Sequence, residues 1–172
     1  MTGKHVILLL LALLLAACAS AIPKEIRQGA QENFTLNEVR EEPGRFTGEK
    51  VLWGGRILSS EIRQEGTIFE VLKLPLNNQD RPRDVDQSEG RFLVISPDYL
   101  DTAIYDQGRE ITVVGDIGEV RTRPLGEITY TYPVVKAQKV HLWEKRTETT
   151  TRHHYYPSHL YGPPYWRYPY WW

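Results

Sequence analysis

The chain has 172 residues, enough for one domain with a modest core, and a single cysteine. That count excludes an intramolecular disulfide, a thiolate zinc cage and a cysteine nucleophile held apart from position 18. A formal net charge of -1, from 21 Lys and Arg against 22 Asp and Glu with the signs interspersed, argues against nucleic acid as a partner, which asks for a basic stripe.

Lys4 and His5 precede an uncharged apolar run, Val6 to Leu15, followed by small residues. This is the n-region, h-region and boundary of a secretory signal over residues 1–17. The run is about half the roughly 20 residues that a spanning helix needs. Leu15-Ala16-Ala17-Cys18 resembles the lipobox of bacterial lipoproteins. The resemblance implies cleavage before Cys18, a covalent diacylglycerol on its sulfur and an N-acyl chain on its new amine, with no other cofactor. Ala19 lacks the aspartate that retains such proteins in the inner membrane. The address implied is the outer membrane, lipid-anchored and facing the periplasm.

Residues 18–33 show no periodicity and read as a lipid-anchored tether. A β-rich domain then spans 34–146. Thr35 with Glu38 forms a capping box, flanked by Phe34 and Val39 as a hydrophobic staple, and predicts a helix from Leu36 to about Glu41 before Pro43. Leu36 and Val39 share a face suited to plugging one end of a barrel. Gly48 opens a strand with Val51, Trp53, Gly55 and Ile57 on one side, and Gly54-Gly55 marks a bend, a bulge or a close backbone approach. A turn at Arg63–Gly66 leads to a strand over Thr67–Leu74, ended by Pro75.

Leu76 to Gly90 is a long polar loop, a length that marks a functional or mobile segment. Its Arg81 and Arg83 could clamp a phosphate or carboxylate, or simply pair with Asp80, Asp84 and Asp86. Arg91–Ile95 is the next strand. Ser96-Pro97 predicts an N-cap and first turn of a short helix ending near Gly108. Glu110–Ile117 alternates cleanly, and Glu127–Tyr132 follows a loop holding Pro124 and Gly126. In Val134–Glu144 the apolar parity changes between Ala137 and Val140. A bulge near Gln138 would turn Val135, Ala137, Val140 and Leu142 all inward and leave His141 and Trp143 outside.

The predicted fold class is all-β with short helices: a small antiparallel OB-fold-like barrel. From Thr147 the composition changes to a Tyr/Trp/Pro/His-rich tail, residues 147–172. Tyr155, Tyr156, Tyr165, Trp166, Trp171 and Trp172 are candidates for contact with an envelope surface, since such rings suit a lipid headgroup boundary and stack on sugars. Folding back onto the domain, or disorder, is the alternative. His153, His154 and His159 lack a nearby carboxylate or thiol to complete a metal site, and no metal is expected.

Pro43, Phe46 and Gly48, Val51-Leu52-Trp53-Gly54-Gly55, Phe69-Glu70-Val71, Pro75-Leu76, Arg81-Pro82, Gly90-Arg91-Phe92, Tyr99-Leu100-Asp101, Ile111-Thr112-Val113-Val114-Gly115 and Leu142-Trp143 occur in order behind the lipobox. In that order and spacing the domain resembles the Slp family of outer-membrane lipoproteins, named for a starvation-inducible member. The resemblance implies an outer-membrane lipoprotein linked to starvation or stationary phase, with no catalytic residues to carry over.

Three functions are consistent with the residues. One is a non-enzymatic envelope lipoprotein contacting membrane, peptidoglycan, lipopolysaccharide or another envelope protein. Another is a periplasmic module binding a small anionic or saccharide ligand near Trp53, Arg81 and Arg83. An enzyme is disfavoured, because no nucleophile elbow, zinc-protease motif or phosphate loop is present. Glu70, between Phe69 and Val71, could be a buried carboxylate with a raised pKa, or one neutralised by a partner such as Arg56.

Overall fold

The computed structural model describes residues 22–146. The order is α1 (Lys24–Arg27), α2 (Leu36–Glu41), α3 (Pro43–Phe46), β1 (Lys50–Arg63), β2 (Gly66–Lys73), β3 (Arg91–Ser96), β4 (Glu110–Ile117), β5 (Arg121–Leu125), β6 (Ile128–Tyr132) and β7 (Val134–Leu142). Five strands close a barrel in the order β1-β2-β3-β7-β4, and β5-β6 form a separate hairpin. With that hairpin counted as an insertion between the fourth and fifth barrel strands, the architecture is the five-stranded OB-fold.

The barrel is antiparallel at four of its five pairings, as the sequence predicts an antiparallel OB-fold-like barrel. Its closing pair, β3 with β7, is parallel, with Leu93 opposite Val134 and Ile95 opposite Lys136. A last strand that must fit between β3 and β4 can run antiparallel to only one of them, and here it is β4.

β1 holds the barrel together by serving two neighbours. Residues 50–56 pair with β4, and residues 55–63 pair with β2. The two pairings overlap at Gly55-Arg56, and at Gly54-Gly55 the backbones come close. A Cβ on Gly55 would sit 1.9 Å from the Leu72 carbonyl oxygen, and one on Gly54 2.9 Å from that of Ile111. The glycine pair is therefore a close approach, while the register shift of β1 falls later, between Ile57 and Ser59.

Trp53, Ile57, Phe69, Val71, Phe92, Val94, Ile111, Val113 and Val135 fill the interior, and α2 and α3 add Leu36, Val39 and Phe46 to the same cluster. Thr35 caps α2 through both halves of the capping box. Gln138 is the extra residue of a bulge, since Val114 faces Lys139 but Gly115 faces Ala137. Val135, Ala137, Val140 and Leu142 accordingly all pack on the core.

Two expectations are corrected. The segment after Ser96 forms no helix; a single turn at Asp101–Tyr105 is all that remains. Its polar groups bond instead to the barrel: Leu100 N to Thr67 Oγ1 at 2.8 Å, Gly108 N to Ile57 O at 2.9 Å, and Ser60 Oγ to Tyr105 O at 2.5 Å. Those partners compete with the backbone ladder of a helix. The second correction concerns the tether. From Ile22 onward it lies on the barrel: Ile22 is buried against Leu52 and Val114, and Gln31 pairs in parallel with Val51.

Candidate functional site

Two surfaces of the barrel could carry a function. On the outward side of the β1-β4 ladder, three rungs follow one another: Leu52 with Val114, Gly54 with Thr112, and Arg56 with Glu110. Ile22 covers the first rung. At the second, Thr112 Oγ1 donates to Asp80 O at 2.6 Å and accepts from Trp143 Nε1 at 2.9 Å. Arg27 reaches across to Asp80 Oδ2 at 2.9 Å. At the third, Glu110 is held by two guanidinium groups, Arg81 Nε at 2.9 Å and Arg146 Nε at 2.8 Å. Arg81 also lies over the Trp143 ring, 5.4 Å from its centroid.

Beside this rung opens a cleft of about 480 Å³ lined by Arg56, Asp84, Arg109, Glu110, Lys145 and Arg146 among others. Its charges are largely spent on one another. Arg56 binds Asp84 at 2.8 Å, and Arg109 donates to the carbonyls of Ile104 and Trp143. No Ser, Thr, Cys or His lines it. A carboxylate clasped by two arginines has both oxygens committed and acts as a cross-brace.

The anionic-ligand site anticipated at Trp53, Arg81 and Arg83 is not assembled. Trp53 is 1 % exposed inside the barrel, edge-on to Phe92 at 5.4 Å, with the Lys73 ammonium 4.7 Å from its ring centroid. Its alternation with Val51 and Ile57 turns it inward, so it cannot offer a platform to solvent. Arg81 is committed to Glu110 and to Glu144 O at 2.8 Å. Arg83 is exposed. The alternative pairing also differs: Asp80 binds Arg27 and Asp84 binds Arg56. Glu70 is partnered by Arg91 at 2.7 Å and Tyr132 Oη at 3.3 Å, not by Arg56.

The second surface is the outer side of β2 and β3, where OB-folds take oligonucleotides and saccharides. Here the chain covers it with its own β5-β6 hairpin. Ile68, Leu93, Ile95, Tyr132 and Val134 form a buried cluster beneath it. Arg121 grips Glu65 with two bonds of 2.8 Å, and Arg123 reaches Glu61 at 3.2 Å. Arg121 holds the Glu65 carboxyl below its ordinary pKa; Glu61 is held down by Arg63 first and by Arg123 as well. Burial, with Glu70 adjacent, pushes the Tyr132 hydroxyl up. Tyr130 Oη accepts from Arg40 at 2.6 Å and from Arg91 N at 3.1 Å, tying the hairpin to α2. Sequence reasoning missed this cover. The alternating Arg121-x-Arg123 opposite Tyr130-x-Tyr132 was its only local signal.

Cys18 and the tail residues Tyr155, Tyr156, Tyr165, Trp166, Trp171 and Trp172 lie outside the described residues, as do His153, His154 and His159. Among the described residues, no helix is long and apolar enough to cross a membrane.

The sequence profile of the outer membrane lipoprotein Slp family matches residues 15–172. The chain belongs to this family. It is thus an outer-membrane lipoprotein. It is 26 % identical over 172 residues to outer membrane protein Slp of Escherichia coli K12, covering 94 % of this chain and 90 % of that one. An uncharacterized Haemophilus influenzae protein is 32 % identical over 121 residues, 68 % of this chain and 66 % of that protein. The uncharacterized lipoprotein YeaY of Escherichia coli K12 is 26 % identical over 133 residues, 77 % of this chain and 68 % of that one. Among solved structures, a small single-stranded DNA-binding protein from Streptomyces coelicolor aligns at 15 % identity over 55 % of this chain and 94 % of that one, with a TM-score of 0.34. A likeness that low carries no argument about what this Slp-family chain binds.

Proposed function

We propose that this chain is a non-enzymatic lipoprotein held on the periplasmic face of the outer membrane by acyl chains on Cys18. Its barrel is a filled structural head, and its aromatic tail contacts a component of the envelope: lipid, peptidoglycan, lipopolysaccharide or another envelope protein. Expression tied to starvation or stationary phase belongs to the same reading.

The observation that supports it most is that the barrel keeps its own ligand faces occupied. The interior is packed with Trp53 and Phe92, and the β2-β3 side lies under the β5-β6 hairpin. The anchor at one end of the sequence and the Tyr/Trp tail at the other are the segments this reading assigns to external contact. Each buried acyl methylene contributes about 0.8 kcal/mol, and stable anchoring needs more than one chain. Diacylation with N-acylation on Cys18 meets that need.

The test is fractionation of cells carrying Cys18→Ser. The variant is expected to leave the membrane fraction, as soluble periplasmic protein or as unprocessed precursor. Processed, membrane-bound Cys18→Ser protein would exclude acylation as the anchor. Transcript levels compared between growing and starved cultures test the expression arm.

A further inference from the structure

The cleft beside Glu110 holds more positive charge than its own carboxylates use. Three stretches of chain bring cations to it: Arg56 from β1, Arg109 from the turn that leads into β4, and Lys145 and Arg146 from the residues after β7. Its lining carboxylates are Asp84, Glu110 and Glu144. Glu110 takes Arg146 on one oxygen and Arg81 on the other, so Arg81 belongs to the same charge balance. Five cations then stand against three carboxylates, a surplus of two.

The surplus sits on identifiable groups. Arg109 has no carboxylate partner among the described residues. It donates to the Ile104 and Trp143 carbonyls at 2.9 and 2.8 Å, and its Nε is buried without an acceptor. A guanidinium offers five N–H donors, so three of those on Arg109 are unmatched among the described residues, a state that folded proteins rarely leave without a reason. Lys145 is exposed on the cleft and makes no hydrogen bond or ion pair among the described residues. Arg56 is held only by Asp84, in a pair whose side chains are 39 % and 62 % exposed. An ion pair that open to water is weak, so a ligand anion can take Arg56 from Asp84 with little loss.

We propose that this cleft binds the phosphate of a phosphomonoester, through Arg56, Arg109 and Lys145. A dianion matches the surplus of two, whereas a single carboxylate leaves half of it unmet. Donors arriving from separate chain segments surround a tetrahedral anion, while a planar carboxylate is satisfied by one guanidinium fork. The volume of about 480 Å³ admits a phosphorylated small molecule or a lipid headgroup. With no hydroxyl, thiol or imidazole side chain in its lining, the cleft holds the phosphate and does not transfer it. Arg81 stays on Glu110, behind the ligand, and Trp53 stays in the core. The site goes beyond the reading of the barrel as a filled head and does not depend on the lipid at Cys18.

The test is equilibrium dialysis of radiolabelled inorganic phosphate against the full acylated chain, in a neutral glucoside detergent at neutral pH and fixed ionic strength. Saturable binding at one site per chain is expected. Lys145→Gln removes a cation that makes no other bond and should weaken binding about tenfold, the worth of one charge-assisted hydrogen bond. Asp84→Asn frees Arg56 and should tighten binding, by up to about fivefold. Arg45→Gln, a charge change on α3 outside the cleft, should leave it unaltered. Absence of saturable binding, equal losses in Lys145→Gln and Arg45→Gln, or indifference to both Lys145 and Asp84 overturns the proposal. Glycerol phosphate and micelles containing phosphatidic acid then compete for the label. Displacement by glycerol phosphate supports the site with a soluble phosphomonoester, and displacement by the lipid alone supports it with a headgroup. Displacement by neither overturns it.

Discussion

Lys73 is a buried charge whose position opposes folding while it stays protonated. Its side chain is 8 % exposed, with Nζ donating to Glu89 Oε2 at 2.9 Å and to Phe34 O at 3.0 Å. The same Glu89 oxygen accepts from Leu36 N, so one carboxylate joins the long loop, β2 and the start of α2. Burial lowers the Lys73 pKa from 10.5, against the opposing pull of Glu89. The folded state therefore releases this proton at a lower pH than the unfolded chain does. Between the lowered value and 10.5 the unfolded state binds more protons, so this group's contribution to stability rises with pH across that window. Below the window the cost of the buried charge is fully present. Lys73→Met lacks this dependence. In urea unfolding at a series of alkaline pH values, the wild type should gain stability relative to Lys73→Met as pH rises toward 10.5, and parallel profiles would show that Lys73 is not desolvated.

The β5-β6 hairpin is the element that covers the β2-β3 face, where OB-folds take their ligands. Ile117 faces Val135 across the β4-β7 ladder, so the hairpin can be excised and the two strands joined by a short turn without stretching the barrel. Replacing residues 120–132 by a Gly-Ser turn should leave a cooperative fold but bare Ile68, Leu93 and Ile95. We expect strong binding of an apolar dye and a loss of roughly 4–9 kcal/mol, the worth of three fully buried side chains. Unchanged dye binding would mean that the cluster is not covered by the hairpin.

How far these elements could be read in the sequence follows from how local their causes are. The capping box at Thr35 and Glu38 and the bulge at Gln138 are written in a few neighbouring residues, and both were legible. The segment after Ser96 carries good local helix signals, but Thr67, Ser60 and Ile57 of distant strands take its polar groups. The parallel β3-β7 pairing and the hairpin's place over β2-β3 depend on partners tens of residues away, which periodicity does not encode. Trp53 was legible as alternating with Val51 and Ile57, yet its aromatic character suggested a ligand platform; which face was the interior decided the matter.

At the scale of the whole molecule, we expect the barrel to hold its stability without residues 147–172. Every strand of the closed barrel ends by Leu142, and the last described bonds, from Arg146, brace the outside. Truncation after Arg146 should keep a cooperative melt with Tm moved by less than about 4 °C, a change under roughly 1 kcal/mol for a domain of this size. A lost or much broadened transition, followed by circular dichroism, would make the tail part of the fold.

The position of β7 in the chain has a consequence for how the protein reaches its membrane. β7 pairs with both β3 and β4, so no closed barrel can exist until Leu142 has been synthesised. Its closure joins segments far apart in sequence, which makes it intrinsically slow. A nascent chain therefore stays open through nearly all of its translation. For a chain whose family resides at the outer membrane, late closure is compatible with crossing the inner membrane before the barrel folds.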